Sequence, residues 1–127
     1  MACAVETAVD TYIRIFSEPD SDKRAELIEA CFATNGRIVT RSREIRGHSG
    51  VAEMANRFIT DPEVLRVRVL AVDAQNTTFR LRALTDLRDG RSIEVNDAGE
   101  IDAEGRISLL LTFAGPLEER APELQPT

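Results

Sequence analysis

The sequence predicts an α+β domain in which three amphipathic helices precede an antiparallel sheet. Two observations carry this. Apolar residues recur every three to four positions as far as Ile59, and beyond Pro62 they alternate. Helices first and strands afterwards put the helices on one face of the sheet.

In the first helix Ala4, Val5, Ala8, Val9, Tyr12, Ile13 and Phe16 draw one apolar stripe, which Ser17-Glu18-Pro19-Asp20 ends. The second starts at Ser21 or Asp22, either able to cap it, and buries Leu27, Ile28, Cys31 and Phe32. Asn35-Gly36 supplies a left-handed stop, after which Arg37–Thr40 forms a short strand, with Arg43–Arg46 as a hairpin partner. The third helix begins near His48-Ser49, buries Val51, Met54, Ala55, Phe58 and Ile59, and stops before Asp61-Pro62.

Four strands follow, Leu65–Ala71, Thr77–Asp86, Arg91–Asp102 and Arg106–Phe113, separated by Asp73–Asn76, Asp89-Gly90 and Ala103–Gly105. Strict alternation puts Val67, Val69 and Ala71, then Phe79, Leu81 and Ala83, then Ile107, Leu109, Leu111 and Phe113 on the core face. Arg66, Arg68, Arg80 and Arg82 form a row on the other. Asp97 shares the apolar face with Ile93 and Val95, and Ala98-Gly99 reads as a β-bulge. A carboxylate there must be paired, hydrogen-bonded or protonated.

The chain's 127 residues suit one domain, 1–115, with a polar Pro- and Glu-containing tail over 116–127. A net charge of −6 argues against nucleic acid and anionic membranes. No stretch has the ~20 apolar residues of a membrane span. With no basic-then-apolar leader and two cysteines, the expectation is a cytoplasmic protein with reduced thiols, Cys31 being a buried hydrophobe. One histidine and two scattered cysteines give no metal-ligand spacing, and no cofactor is expected.

The order of elements, Gly47-His48 opening a helix, the run Asp97–Ile107 and the closing Phe113-Ala114-Gly115 resemble the SnoaL-like branch of the nuclear-transport-factor-2-like superfamily. The resemblance implies a cone, a cystatin-like roll in which the helices fill the concave face of a curved sheet around a hydrophobic pocket. It implies a small apolar ligand, with cofactor-independent acid/base chemistry of the cyclase or isomerase kind centred on Asp97. In the cyclases a strand aspartate, similar to Asp97, is the acid/base. In the isomerases a tyrosine and a protonated aspartic acid, similar to Tyr12 and Asp97, form the oxyanion hole. The isomerase base falls at Thr40, which cannot abstract a carbon-bound proton. The Asp-Arg-Asp set of the epoxide hydrolases would need Arg41 or Arg43 beside Asp97 and a second aspartate, which is not found.

The candidate site is therefore Asp97 and Tyr12, with Thr40, Arg41, Phe58, Phe79, Val95 and Phe113 as pocket wall. Each has a plainer reading: Asp97 tying down the bulge, Tyr12 and the phenylalanines as core, the arginines as surface. His48 reads as a cap or an exposed side chain. The arginine row is expected to lie in a homodimer contact through the outer sheet face. The alternative to a catalytic pocket is a non-catalytic binding or association module.

Overall fold

A computed structural model describes residues 4–115 and 117. It runs α1 (Ala4–Ile15), α2 (Ser21–Cys31), β1 (Phe32–Val39), β2 (Glu44–Arg46), α3 (Gly47–Thr60), β3 (Val64–Gln75), β4 (Thr78–Leu87), β5 (Ser92–Ile101) and β6 (Ile107–Ala114). Apart from Leu117, the expected tail lies outside the described residues. The strands form one sheet in the order β2-β1-β6-β5-β4-β3. Its pairs are antiparallel except β1–β6, which is parallel. The three helices pack against this curved, unclosed sheet.

The core joins Val9, Tyr12 and Ile15 of α1, Ile28 of α2 and Val51 and Ala55 of α3 to Ile38, Leu81, Ile107 and Leu110 of the sheet. The helix starts differ from expectation in one respect. Asp20, not Ser21 or Asp22, caps α2, its carboxylate accepting from the amides of Asp22 and Lys23. Arg24 on α2 is buried and fastens the helices together. Its guanidinium donates to the carbonyls of Glu18 and Pro19 and to Oδ1 of Asn56 on α3.

Gly36 does not stop a helix. The chain leaves α2 directly into β1 at Phe32, and Gly36 lies inside that strand where its register against β6 shifts. A Cβ there would come within 2.7 Å of the Phe32 ring and 2.9 Å of the Ile107 carbonyl oxygen. Close approach, rather than a left-handed turn, therefore requires glycine.

Register shifts also overturn the strict alternation in two later strands. In β3 the register slips between Val69 and Ala71, so Val67 and Val69 face inward while Ala71 pairs with Arg82 on the outer face. In β6 it slips where Glu100 and Ile101 meet Leu109 and Ile107. Ile107 is buried, but beyond the slip Leu110 and Thr112 face inward, and Leu109, Leu111 and Phe113 face outward. An extra residue in one strand turns every later side chain over.

The bulge expected at Ala98-Gly99 is absent from the β4–β5 ladder, which is in continuous register from Thr78↔Glu100 to Asp86↔Ser92. Gly99 is instead a point of close approach: a Cβ would stand 2.6 Å from both the Leu109 carbonyl oxygen and Cζ of Phe79.

The outer face is less bare than the arginine row suggests. Asp86 is buried there, bound by Arg66 (2.9 Å), Arg68 (2.6 and 3.0 Å) and the Ser92 hydroxyl (2.7 Å). The Arg68 hydrogen bond, then those of Ser92 and Arg66, hold its carboxyl far below the usual carboxylate range. Arg80 pairs with Asp73 at 3.0 Å.

Candidate functional site

A cavity of about 360 Å³ lies between the helices and the concave face. Tyr12 and Ile13 of α1, Phe16 just beyond its end, and Met54, Arg57 and Phe58 of α3 form one wall. Val67, Leu81, Ala83, Thr85, Val95, Asp97 and Thr112 form the sheet side, and Asp61 completes the lining. Its size is that of small-molecule sites, and its lining is mostly apolar with few polar groups. Tyr12, Phe16 and Phe58 form an edge-to-face chain, with ring centroids 5.2 and 5.3 Å apart. The outer face carries wider troughs of about 550 and 730 Å³, bordered by charged side chains such as Arg82.

Asp97 reaches the cavity because β5 alternates without interruption through Ile93, Val95 and Asp97, opposite Thr85, Ala83 and Leu81. Only 7% of the residue is exposed, and its Oδ1 is buried without a hydrogen-bond partner among the described residues. Burial pushes the carboxyl up to about 6, and a hydrogen bond from Thr112 pulls it part of the way back. Near neutral pH such a group exchanges a proton readily in either direction.

Tyr12 is buried on the opposite wall, and its hydroxyl is held well above its ordinary pKa by burial first, then by the charges of Asp97 and Cys31. It stays neutral and can donate a hydrogen bond. Arg57 is engaged by Glu53 at 2.6 Å.

Of the residues expected in the site, Tyr12, Phe58, Val95 and Asp97 line this one cavity. Four others do not. Thr40 lies in the β1–β2 turn, exchanging hydrogen bonds with the Arg43 backbone. Arg41 is exposed beside the wider outer trough. Phe79 is buried in the core, and Phe113 is 58% exposed on the outer face because of the β6 slip. His48 neither caps nor points to solvent: half-buried, its Nε2 donates to the Phe32 carbonyl at 2.6 Å.

Ten other lining residues were missed, Phe16, Met54 and Thr112 among them. Phe16 and Met54 lay on helical apolar stripes with nothing to separate cavity wall from core, and the β6 slip hid Thr112. Cys31 is free and buried, its thiol pushed up to about 12 by burial. Among the described residues no group of three His, Cys, Asp or Glu side chains is placed to hold a metal ion, and no helix is long and apolar enough to cross a membrane.

No protein-family model and no curated protein matches the sequence. Solved structures do. A SnoaL-like family protein from Agrobacterium tumefaciens is 23% identical with a TM-score of 0.77, covering 89% of this chain and 98% of its own. The chain has the nuclear-transport-factor-2-like fold. An epoxide hydrolase of the LEH-like kind from M. tuberculosis shares this fold at 18% identity and a TM-score of 0.64, covering 87% of this chain and 81% of its own. So does a de novo designed protein with a curved β-sheet, at 14% identity and a TM-score of 0.74, covering 91% and 89%. A shared fold carries no activity by itself, so function must be argued from the cavity.

Proposed function

We propose that the protein binds a small apolar carbonyl compound in the cavity beneath α1 and α3, with Asp97 as the group that holds or moves a proton. One observation carries the reading: a carboxyl buried in an apolar cavity, with an unpartnered oxygen and a pKa raised to about 6. Protonated, Asp97 donates to a carbonyl oxygen and favours its enol. Ionised, it takes a proton from an adjacent carbon, and Tyr12 donates to the oxygen on which negative charge gathers. A single carboxyl serving as both acid and base needs no metal or cofactor. The likeness of fold to SnoaL-like and epoxide-hydrolase proteins supports a cavity-centred role. A cytoplasmic location belongs to the same reading, supported by the free thiol of Cys31.

The test is solvent exchange of the α-protons of straight-chain methyl ketones, followed by NMR with wild type and Asp97→Asn. Exchange that the substitution abolishes supports catalysis. Binding without exchange leaves a non-catalytic carrier, and no binding removes the proposal.

A second reading is a homodimer through the outer sheet face. It is favoured by Phe113, 58% exposed on a face that no described helix covers and that also carries Arg66, Arg68, Arg80 and Arg82. Light scattering after size exclusion tests it. Phe113→Lys should convert a dimer to a monomer, and a monomeric wild type would end the idea.

A further inference from the structure

Seven large apolar side chains are exposed among the described residues, and three of them pair with residues of the cavity lining: Val69 (37%), Val72 (38%) and Ile93 (40%). Their position follows from register. Val69 pairs with Ala83, Val72 with Leu81 and Ile93 with Thr85, and all three partners line the cavity. Val67, also opposite Thr85, is itself part of the lining. Directly paired side chains stand about 5 Å apart on the same face, so Val67, Val69 and Val72 continue the cavity wall from β4 onto β3.

The register slip after Val69 is what brings Val72 to this face; strict alternation would have turned it outward. β3 is the edge of the sheet, so the apolar row runs from the cavity to open solvent. The charged side chains of this strand, Arg66, Arg68 and Asp73, are tied to Asp86 and Arg80 on the outer face and leave the row apolar. An exposed apolar surface continuous with a cavity is one of the marks of a ligand-binding groove.

We infer that the ligand is elongated, with its polar group at Asp97 and a slender apolar chain leaving the cavity across Ala83 and Leu81 to lie on Val69 and Val72. This rests on the reading of the Asp97 cavity as the binding site and adds the shape of what it binds. The occupant is the tail of the cavity's own ligand because the row is unbroken from the lining outward.

Calorimetric titration with straight-chain methyl ketones of about six to about twelve carbons, near pH 5.5, tests it. Affinity should rise roughly two- to fourfold with each added methylene across the whole series, since each buries further apolar surface. In the double variant Val69→Thr/Val72→Thr, the ratio of the twelve-carbon to the six-carbon affinity should fall at least about tenfold. Threonine keeps the branched shape of valine and suits a strand, so the variant should fold, which its amide spectrum checks.

A gain that stops once the enclosed cavity is full would overturn the inference, as would a double variant that keeps the wild-type ratio. Were the valines an interface between copies, the long ketones would gain nothing. Failure of the underlying reading looks different: no ketone of any length binds, or Asp97→Asn leaves every affinity unchanged.

Discussion

Asp97 and Thr112 lie directly opposite each other on β5 and β6, both on the concave face, where the Thr112 hydroxyl works against burial to lower the Asp97 carboxyl's pKa. The hydroxyl favours the ionised carboxylate while burial favours the acid, so the aspartate sits between the two. Thr112→Val keeps the strand's branched side chain and removes the donor. It should raise the Asp97 pKa above about 6 by roughly one unit or more, the worth of a hydrogen bond to a charged group. Thr112→Ser should restore it. Carboxyl-carbon NMR titration reads the shift, and an unmoved titration would mean that the hydroxyl has no hold on the proton.

The same raised pKa fixes the sign of a stability effect. Unfolded, Asp97 ionises near 3.8, and folded near 6. Between these values the native state holds the extra proton, so stability falls as pH rises through the window and stays lower above it. The full effect is on the order of 3 kcal/mol at neutral pH. Asp97→Asn removes this penalty. The difference in unfolding free energy between variant and wild type should therefore grow in the variant's favour from about pH 4 to about pH 7 in urea titrations. A pH-independent difference would show that Asp97 is not desolvated.

At Gly99 the backbone is not left-handed, and the requirement for glycine is spatial. Gly99→Ala would set a methyl group against the Leu109 carbonyl and the Phe79 ring. The carbonyl belongs to a paired strand and cannot withdraw, so a loss of about 1–3 kcal/mol is expected, as for overpacking elsewhere. Chemical denaturation measures it. A neutral result would mean that β5 and β6 separate there at little cost.

Arg24 is legible in the sequence only as one more charged residue on a helix, yet it joins the α1–α2 turn to α3. Arg24→Ala leaves the carbonyls of Glu18 and Pro19 and the Asn56 amide without this partner. It should cost about 1–3 kcal/mol. Because α1 and α3 carry Tyr12 and Phe58, the ring chain should loosen with it. The near-ultraviolet dichroism of Tyr12, the chain's one tyrosine, reports that directly. Unchanged stability and dichroism would mean that the α1–α2 turn holds its place without the guanidinium.

Periodicity in the sequence was enough to read the three helices, the four long strands, the placing of Asp97 among Ile93 and Val95, and the stripe that carries Tyr12. Each of these depends on neighbours along the chain, whose relative directions are set by 3.6 or 2 residues per repeat. What the sequence could not show was where alternation changes phase. The slips at Val69/Ala71 and Glu100/Ile101 exist only in the pairing of one strand with another. They decide that Phe113 points to solvent while Thr112 points to Asp97, and that Val72 joins the cavity's face. Thr40 and Arg41 fell outside the cavity for a related reason: the parallel pairing of β1 with β6 carries their turn away from it. Local spacing determined which residues are apolar and which element holds them; only the register between strands, set by backbone hydrogen bonds far apart in sequence, decided which of them meet.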